Sequence, residues 1–441
     1  MHTTAHEIEA SLAEGRLYDA QRAVASQDAA DRRADVALRR LAAATYAIAG
    51  DERALAAVVD PQLLACRTET EALSILPAAG QPLSHDFLTA ATLMAWSNER
   101  AGAYDFFREA RDRAASEGRP YIAVAACERL AHHCILFGDF QQAAATIDDG
   151  LRLTALHRLE GWRLRCAARA VTLALDVEDL VRADALAGDA APPQEAVGTR
   201  ALFAPGRVRL ALLCDDAESL RLWTSERIAD LALYSVDAPL AIASATALLH
   251  AAADDVALPP AHAVALRRVL AMIDRASNAI EFLALAARFG TLDEARLAVD
   301  LLAAQFAPQR RYIDAHRQLA RAHVLLRTDE RATAIDCAGD AARAFDAIGA
   351  RYWTNQAMLL LVRPDHVDEP SLRRRPTAVS LTRREQQVAH LIRRGASNRE
   401  VARTLQISEH TVERHVSSIL SRLGLRSRWQ IADVRIVTSE H

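Results

Sequence analysis

SNREVARTLQISEHTVERHVSSILSRLGLRSR, residues Ser397 to Arg428, reads as two short helices joined by a tight polar turn. Ser397 followed by Glu400 is a capping box, in which the serine hydroxyl and the glutamate carboxylate satisfy each other's backbone amides at a helix start. Val401, Ala402 and Leu405 then supply a short apolar stripe. The second helix takes Ser408 as its N-cap. Stepping about 100° per residue, Val412, Val416, Ile419, Leu420 and Leu423 fall on one side and are expected to bury against a core. His410, Glu413, Arg414, Ser417 and Ser421 cluster opposite, a face of hydrogen-bonding groups that is solvated or meets something polar.

The flanks extend this pair into a small four-helix unit. Thr382 with Glu385 forms another capping box ahead of QQVAHLIRRG, where Val388, Leu391 and Ile392 make the buried stripe and Gly395 is a natural left-handed stop. Beyond Gly424, Ser427 and Gln430 cap a last helix, WQIADVRIV.

The run from Leu381 to about Val437 resembles the DNA-binding domain of LuxR-type transcription regulators. The matching residues are the L-T-x-R-E opening (Leu381, Thr382, Arg384, Glu385), Gly395, the S-N-R-E-V-A run from Ser397 to Ala402, S-x-x-T-V-x-x-H (Ser408, Thr411, Val412, His415) and R-L-G-L-R-S-R (Arg422 to Arg428). Arg383, Gln406 and Glu413 depart from residues common in that family; Glu413 stands where a basic residue is frequent, which leaves open the base that the helix reads.

Charge points the same way without the resemblance. Residues 371–441 hold 14 arginines against six acidic side chains, a net of +8, while the preceding 370 residues net −12. A basic module on an acidic body suits phosphate binding, because neutralised phosphates release counterions and supply the sequence-independent share of affinity.

In a helix-turn-helix the second helix lies in the major groove with its N-terminal half on base edges. Glu413, Arg414 and Ser417, with His410 at the rim, are therefore the candidate base readers. An arginine can bond guanine bidentately and a glutamate can accept from a cytosine amino group. Arg399, Arg403, Thr411, Arg422 and Arg428 are the candidate phosphate contacts that set register. His415 points sideways, towards the core edge, and is read as a structural residue. The resemblance implies that the last helix pairs two DNA-bound copies, so the expected partners are double-stranded DNA and a second copy of the chain. Trp429 and Ile431 belong either to that dimer seam or to the domain's own core.

The rest of the chain is periodic. Turn-like spots followed by an apolar helix recur at Gly15, Gly50, Gly102, Gly138 and Gly290, with a glycine-free echo at Arg327 and fainter copies at DVEDLVRADAL and CDDAESLRLW. Several of these lie 35 to 37 residues apart. In the Gly138 unit Phe140, Ala143, Ala144, Ile147 and Leu151 share one helix face. The array resembles degenerate tetratricopeptide repeats. Such a solenoid buries its core by stacking neighbours and is expected to leave a concave groove. The expected fold class is thus all-α: a tetratricopeptide-like α-solenoid over residues 1–362, a linker over 363–379 broken by Pro364, Pro370 and Pro376, and a LuxR-type helix-turn-helix domain over 380–438.

Other classes are disfavoured. No lysine occurs among the 53 basic residues, so neither a phosphate-binding G-x-x-x-x-G-K-[ST] loop nor a Schiff-base lysine can be written in this chain. No G-x-S-x-G or H-E-x-x-H run appears, and no enzyme activity or cofactor is expected. Cys66, Cys127, Cys134, Cys166, Cys214 and Cys337 show no C-x-x-C spacing and read as small core residues of a reducing compartment. His132, His133 and Cys134 are adjacent, so their side chains diverge on a helix, and no metal is expected there. The first arginine is Arg16 and the longest central uncharged stretch, Ala238 to Ala253, is short for a bilayer, so a cytoplasmic protein with no membrane partner is expected. The repeats would then sense a small molecule or a partner protein, or meet RNA polymerase. A repeat scaffold whose terminal helices bind protein is the alternative reading; a sigma-factor-like promoter reader fits His415 and LGLRSR less well.

Overall fold

The computed structural model describes residues 5–27, 35–49, 55, 58, 82–96, 100–189, 197–214, 216–235, 238–252, 259–273, 279–304, 310–362, 387–389, 391–392, 396–405 and 407–423. These are helical throughout, with short turns and no strand among the described residues. The repeat region supplies α1 (Ala5–Ala13), α2 (Leu17–Ala25), α3 (Val36–Ala49), α4 (Ser84–Trp96), α5 (Arg100–Ser116), α6 (Pro120–Leu136) and α7 (Phe140–His157). It continues with α8 (Glu160–Asp176), α9 (Leu180–Asp189), α10 (Val197–Cys214), α11 (Ala217–Trp223), α12 (Glu226–Tyr234) and α13 (Ala238–Ala251). It closes with α14 (Pro260–Met272), α15 (Ile280–Phe289), α16 (Leu292–Ala304), α17 (Arg311–Arg327), α18 (Arg331–Ala347) and α19 (Arg351–Val362).

The helix, turn, helix periodicity is realised, and seven of the turns share one backbone device, while the turn at Gly290 is extended instead (φ −70°, ψ 170°). A residue with positive φ stands at Gly15, Gly118, Gly138, Arg158, Glu178, Asp329 and Gly349. One left-handed residue reverses the chain after a helix, as at a helix C-terminus. Glycine takes this conformation at no steric cost; Arg158, Glu178 and Asp329 take it without being glycine, the last two in the DVEDLVRADAL copy and the Arg327 echo. Gly138 also sits tightly against Ile348, which leaves no room for a side chain there. Gly102 departs from the expectation: it lies inside α5 rather than in a turn, against the Met94 side chain of α4. Gly50 lies outside the described residues.

Phe140, Ala143 and Ile147 of α7 are buried, as the amphipathic spacing requires, and Ala144 and Leu151 are half-buried. Cys127, Cys134, Cys166 and Cys337 are buried thiols and Cys214 is half-buried; Cys66 falls outside the described residues. Alanine and glycine at contact positions let the helices approach closely. A Cβ on Gly150 of α7 would lie 3.3 Å from both Cys127 of α6 and Cys166 of α8.

The expected open groove is not what the inner helices form. Helices α6, α8, α10, α13, α15 and α17 each pack on the next, and α17 packs back on α6 while α19 packs on α8. The circuit of inner helices therefore closes on itself, and side chains far apart in sequence meet at its centre. Arg209 of α10, wholly buried, holds Asp176 of α8 (Nη2 to Oδ1, 2.9 Å) and Glu281 of α15 (Nη1 to Oε1, 3.1 Å). His250 of α13 donates from Nε2 to the same Glu281 oxygen at 2.7 Å. Tyr312 of α17 donates to Asp176 Oδ2 at 3.1 Å, and the indole N–H of Trp353 of α19 donates to Oδ1 at 3.0 Å. Both oxygens of Asp176 are thus hydrogen-bonded in the interior. Apolar contacts share in the closure: Phe140 of α7 packs edge-on to Tyr312 of α17 at 5.7 Å, and Gly138 sits against Ile348.

Candidate nucleic-acid interface

The C-terminal pair is built as its caps dictate. In α20 (Asn398–Leu405) the Ser397 hydroxyl accepts from the Glu400 amide at 3.3 Å, and Glu400 Oε2 accepts from the Ser397 amide at 2.7 Å and its hydroxyl at 2.8 Å. The amide and hydroxyl of Ser397 hold the Glu400 carboxyl below the usual carboxylate range. The turn closes with the Ile407 amide donating to the Ala402 carbonyl at 3.0 Å. In α21 (Glu409–Leu423) the Ser408 hydroxyl accepts from the Thr411 amide at 3.1 Å and pairs with the Thr411 hydroxyl at 2.7 Å. Glu400 and Glu409 each place a carboxylate in a first helical turn, where the positive end of the helix dipole favours it.

One core fixes both helices. Val388, Ala389, Ile392, Val401, Ala402, Val412, Val416 and Ile419 form a buried cluster, flanked by half-buried Leu391, Ala396, Leu405 and Ile407. Val388, Ile392, Val401, Ala402, Val412, Val416 and Ile419 of the stripes read from the sequence are thus the ones that meet here. With Val412, Val416 and Ile419 turned inward, Glu413 and Arg414 are exposed on α21. Arg399 and Arg403, one turn apart, are exposed on α20. Two arginines of the first helix and the Glu413–Arg414 pair of the second therefore stand in solvent around one helix-turn-helix.

The remaining candidates are placed less completely. Thr411 is half-buried, its hydroxyl engaged with Ser408, so it shares in the cap. His415 is half-buried on α21, which suits a residue at the core edge. His410, Ser417 and Arg422 belong to α21 by their backbone. The Thr382–Glu385 capping box, Gly395, the linker 363–379, and the last helix with Arg428, Trp429 and Ile431 lie outside the described residues. Among the described residues no group of three or more His, Cys, Asp or Glu is arranged to hold a metal ion. No described helix is long and apolar enough to cross a membrane.

Sequence reasoning missed the buried hub of Asp176, Arg209, His250, Glu281, Tyr312, His316 and Trp353. A signal was present in charged residues bordering apolar runs, as Asp176 does in LALDVED and Arg209 in RVRLALL. One such residue usually sits on a solvated helix face, and nothing local says that three helices bring theirs together.

Comparison with known proteins places this geometry. Residues 379–435 match the family described as bacterial regulatory proteins, luxR family. The transcriptional regulatory protein YhcZ of Bacillus subtilis is 50% identical over 52 residues, 12% of this chain and 24% of that protein. The nitrate/nitrite response regulator protein NarP of Escherichia coli is 46% identical over 48 residues, 11% of this chain and 22% of that protein. An HTH-type transcriptional regulator of Mycobacterium tuberculosis is 41% identical over 54 residues, 12% of this chain but 6% of its own length. The chain thus spans less than a quarter of each of these relatives. With the caps, the shared core and the matched segment coinciding, residues 379–435 of this chain form a helix-turn-helix domain of the luxR family of bacterial regulatory proteins.

Proposed function

We propose that the protein is a sequence-specific, DNA-binding transcription regulator of the LuxR type, cytoplasmic and not an enzyme. The observation that carries this reading is the helix-turn-helix itself: a capped α21 with its apolar side in the core and Glu413 and Arg414 in solvent, within the segment that matches the family. On this reading α21 enters the major groove. Arg414, Glu413 and Ser417 read base edges with His410 at the rim, while Arg399, Arg403, Thr411, Arg422 and Arg428 hold phosphates. The last helix, with Trp429 and Ile431, pairs two copies on a two-fold site. Residues 1–362 act as the sensing or interaction domain for a small molecule, a partner protein or RNA polymerase, joined through 363–379 to the head at 380–438.

A gel shift of the full chain on its own promoter region, with Arg414→Ala as control, tests the reading. Retardation by the wild type and its loss in the variant are expected. Equal inertness of both at low salt would favour a repeat scaffold whose terminal helices bind protein.

A further inference from the structure

Arg209 occupies a cage. Its guanidinium carbon lies 4.1 Å from the Tyr352 ring centroid and 5.5 Å from that of Trp353, both on α19. Its two terminal nitrogens hold the carboxylates of α8 and α15. Around it His316 of α17 packs edge-on to Tyr312 (4.5 Å), Trp353 (4.4 Å) and Phe345 (4.8 Å). A single side chain from α10 is thus gripped by α8, α15 and α19, and its carboxylate Asp176 is in turn gripped by α17 and α19. A second strand of contact runs alongside, where Asn355 of α19 donates to Glu178, in the turn after α8, at 2.6 Å. These links join residues 136 to 177 positions apart, and they pin residues 311–362, the last helices before the linker, onto the middle of the array.

The kind of contact matters as much as its place. Stacked repeats ordinarily bury apolar surface against the neighbouring repeat, and such interfaces close wherever two units meet. Here, beside the apolar contacts of Phe140 with Tyr312 and of Gly138 with Ile348, distant repeats also meet through a buried ion triad and the hydrogen bonds that its Asp176 accepts from Tyr312 and Trp353. Removing one partner of a buried ion pair leaves the other charge uncompensated, so the contact is held or lost as a unit.

We infer that Arg209 is the latch of the repeat array: its guanidinium, caged by Asp176, Glu281, Tyr352 and Trp353, locks helices α17–α19 onto α8 and α10, and its withdrawal releases them together. The inner face of the array is closed while the latch is shut. An effector that uses that face, on the sensing role proposed above, has to compete with Arg209. The latch itself stands whether or not the head binds DNA.

Hydrogen exchange on the full-length chain tests it. Arg209→Ala is expected to lose at least about tenfold protection across residues 311–362, with α4 and α5 unchanged. Methylguanidinium, which refills the cage, restores protection, and methylammonium at equal ionic strength does not. Unchanged protection of 311–362 would overturn the inference, as would a loss spread evenly over residues 84–136 that methylguanidinium does not reverse. Should Arg209→Ala fail to fold, Trp353→Phe keeps an aromatic six-membered ring and deletes the hydrogen bond to Asp176; about tenfold faster exchange in α19 is expected, and wild-type exchange there counts against the latch.

Discussion

Arginine is the sole basic side chain of the chain apart from histidine, and two regions use it in opposite ways. In the repeats Arg209 is stripped of water and caged between two carboxylates, where it fixes which helices meet. In the head Arg399, Arg403 and Arg414 stand in solvent, held out by the apolar stripes beneath them. A guanidinium stays charged in both settings, so its surroundings decide its role. Where several carboxylates converge on it in the interior it becomes structure; where it stands exposed on the surface an external anion can reach it.

The largest expected effect lies at the buried end of this contrast. Arg209→Met should destabilise the protein by about 3–5 kcal/mol, because Asp176 and Glu281 are left buried without their counter-ion, and urea unfolding at pH 7 measures it. A loss under about 1 kcal/mol, the range of exposed ion pairs, would erase the distinction between the two regions.

Acid sharpens the comparison next. Burial lowers His316 to about 3 and His323 to about 3, and lowers His250 against the pull of Glu281. Desolvation would raise Glu281, yet Arg209 and His250 bring it down to about 2, while for Asp176 burial outweighs Arg209 and raises the carboxyl to about 6. A histidine lowered on folding takes up its proton in the unfolded chain first. Its contribution is therefore complete above about pH 6.5 and shrinks as pH falls from there towards the folded value. Asp176 acts in the opposite sense between about pH 6 and 4, offsetting part of the loss. The wild type should thus lose stability between pH 7 and 5, and His316→Phe should lose less over the same interval, by up to about 2 kcal/mol. Urea midpoints at the two pH values check this; equal losses would mean that His316 is not held neutral by burial.

At the exposed end, Arg414→Ala should cost about 1–3 kcal/mol of DNA affinity and relax specificity at one base pair. Arg399→Ala should weaken all sequences alike and reduce the salt slope by about one. Competition on a base-substituted panel at two salt concentrations separates them, and identical profiles would refute the division between reading and holding. Smallest is the cap: Ser408→Ala should lower the stability of the head by about 1 kcal/mol, seen as faster exchange at the start of α21, with the repeats unaffected.

The head was legible because its information is local. Capping serines sit three residues from their partners, and the stripes of α20 and α21 are set by helical spacing, so Val401, Ala402, Val412, Val416 and Ile419 could be assigned to the core one helix at a time. The repeat period was legible for the same reason, apart from Gly102, where a glycine within a helix has the local look of a turn. The closure of the array was not. It involves contacts such as Asp176 meeting Trp353, 177 residues on, whose partners no local pattern names, and an expected open groove became a filled centre. The proposed base-reading face lies between these cases: exposure of Glu413 and Arg414 follows from the stripe, whereas the bases they are proposed to read are not written in the chain.

Selection from a random duplex library with the purified full-length protein, run beside Arg414→Ala, tests most directly whether the solvent-facing arginines serve DNA. Enrichment of a two-fold symmetric site by the wild type, blurred at one position per half-site in the variant, is the predicted result. No enrichment at low salt, or the same motif from both proteins, would contradict the account.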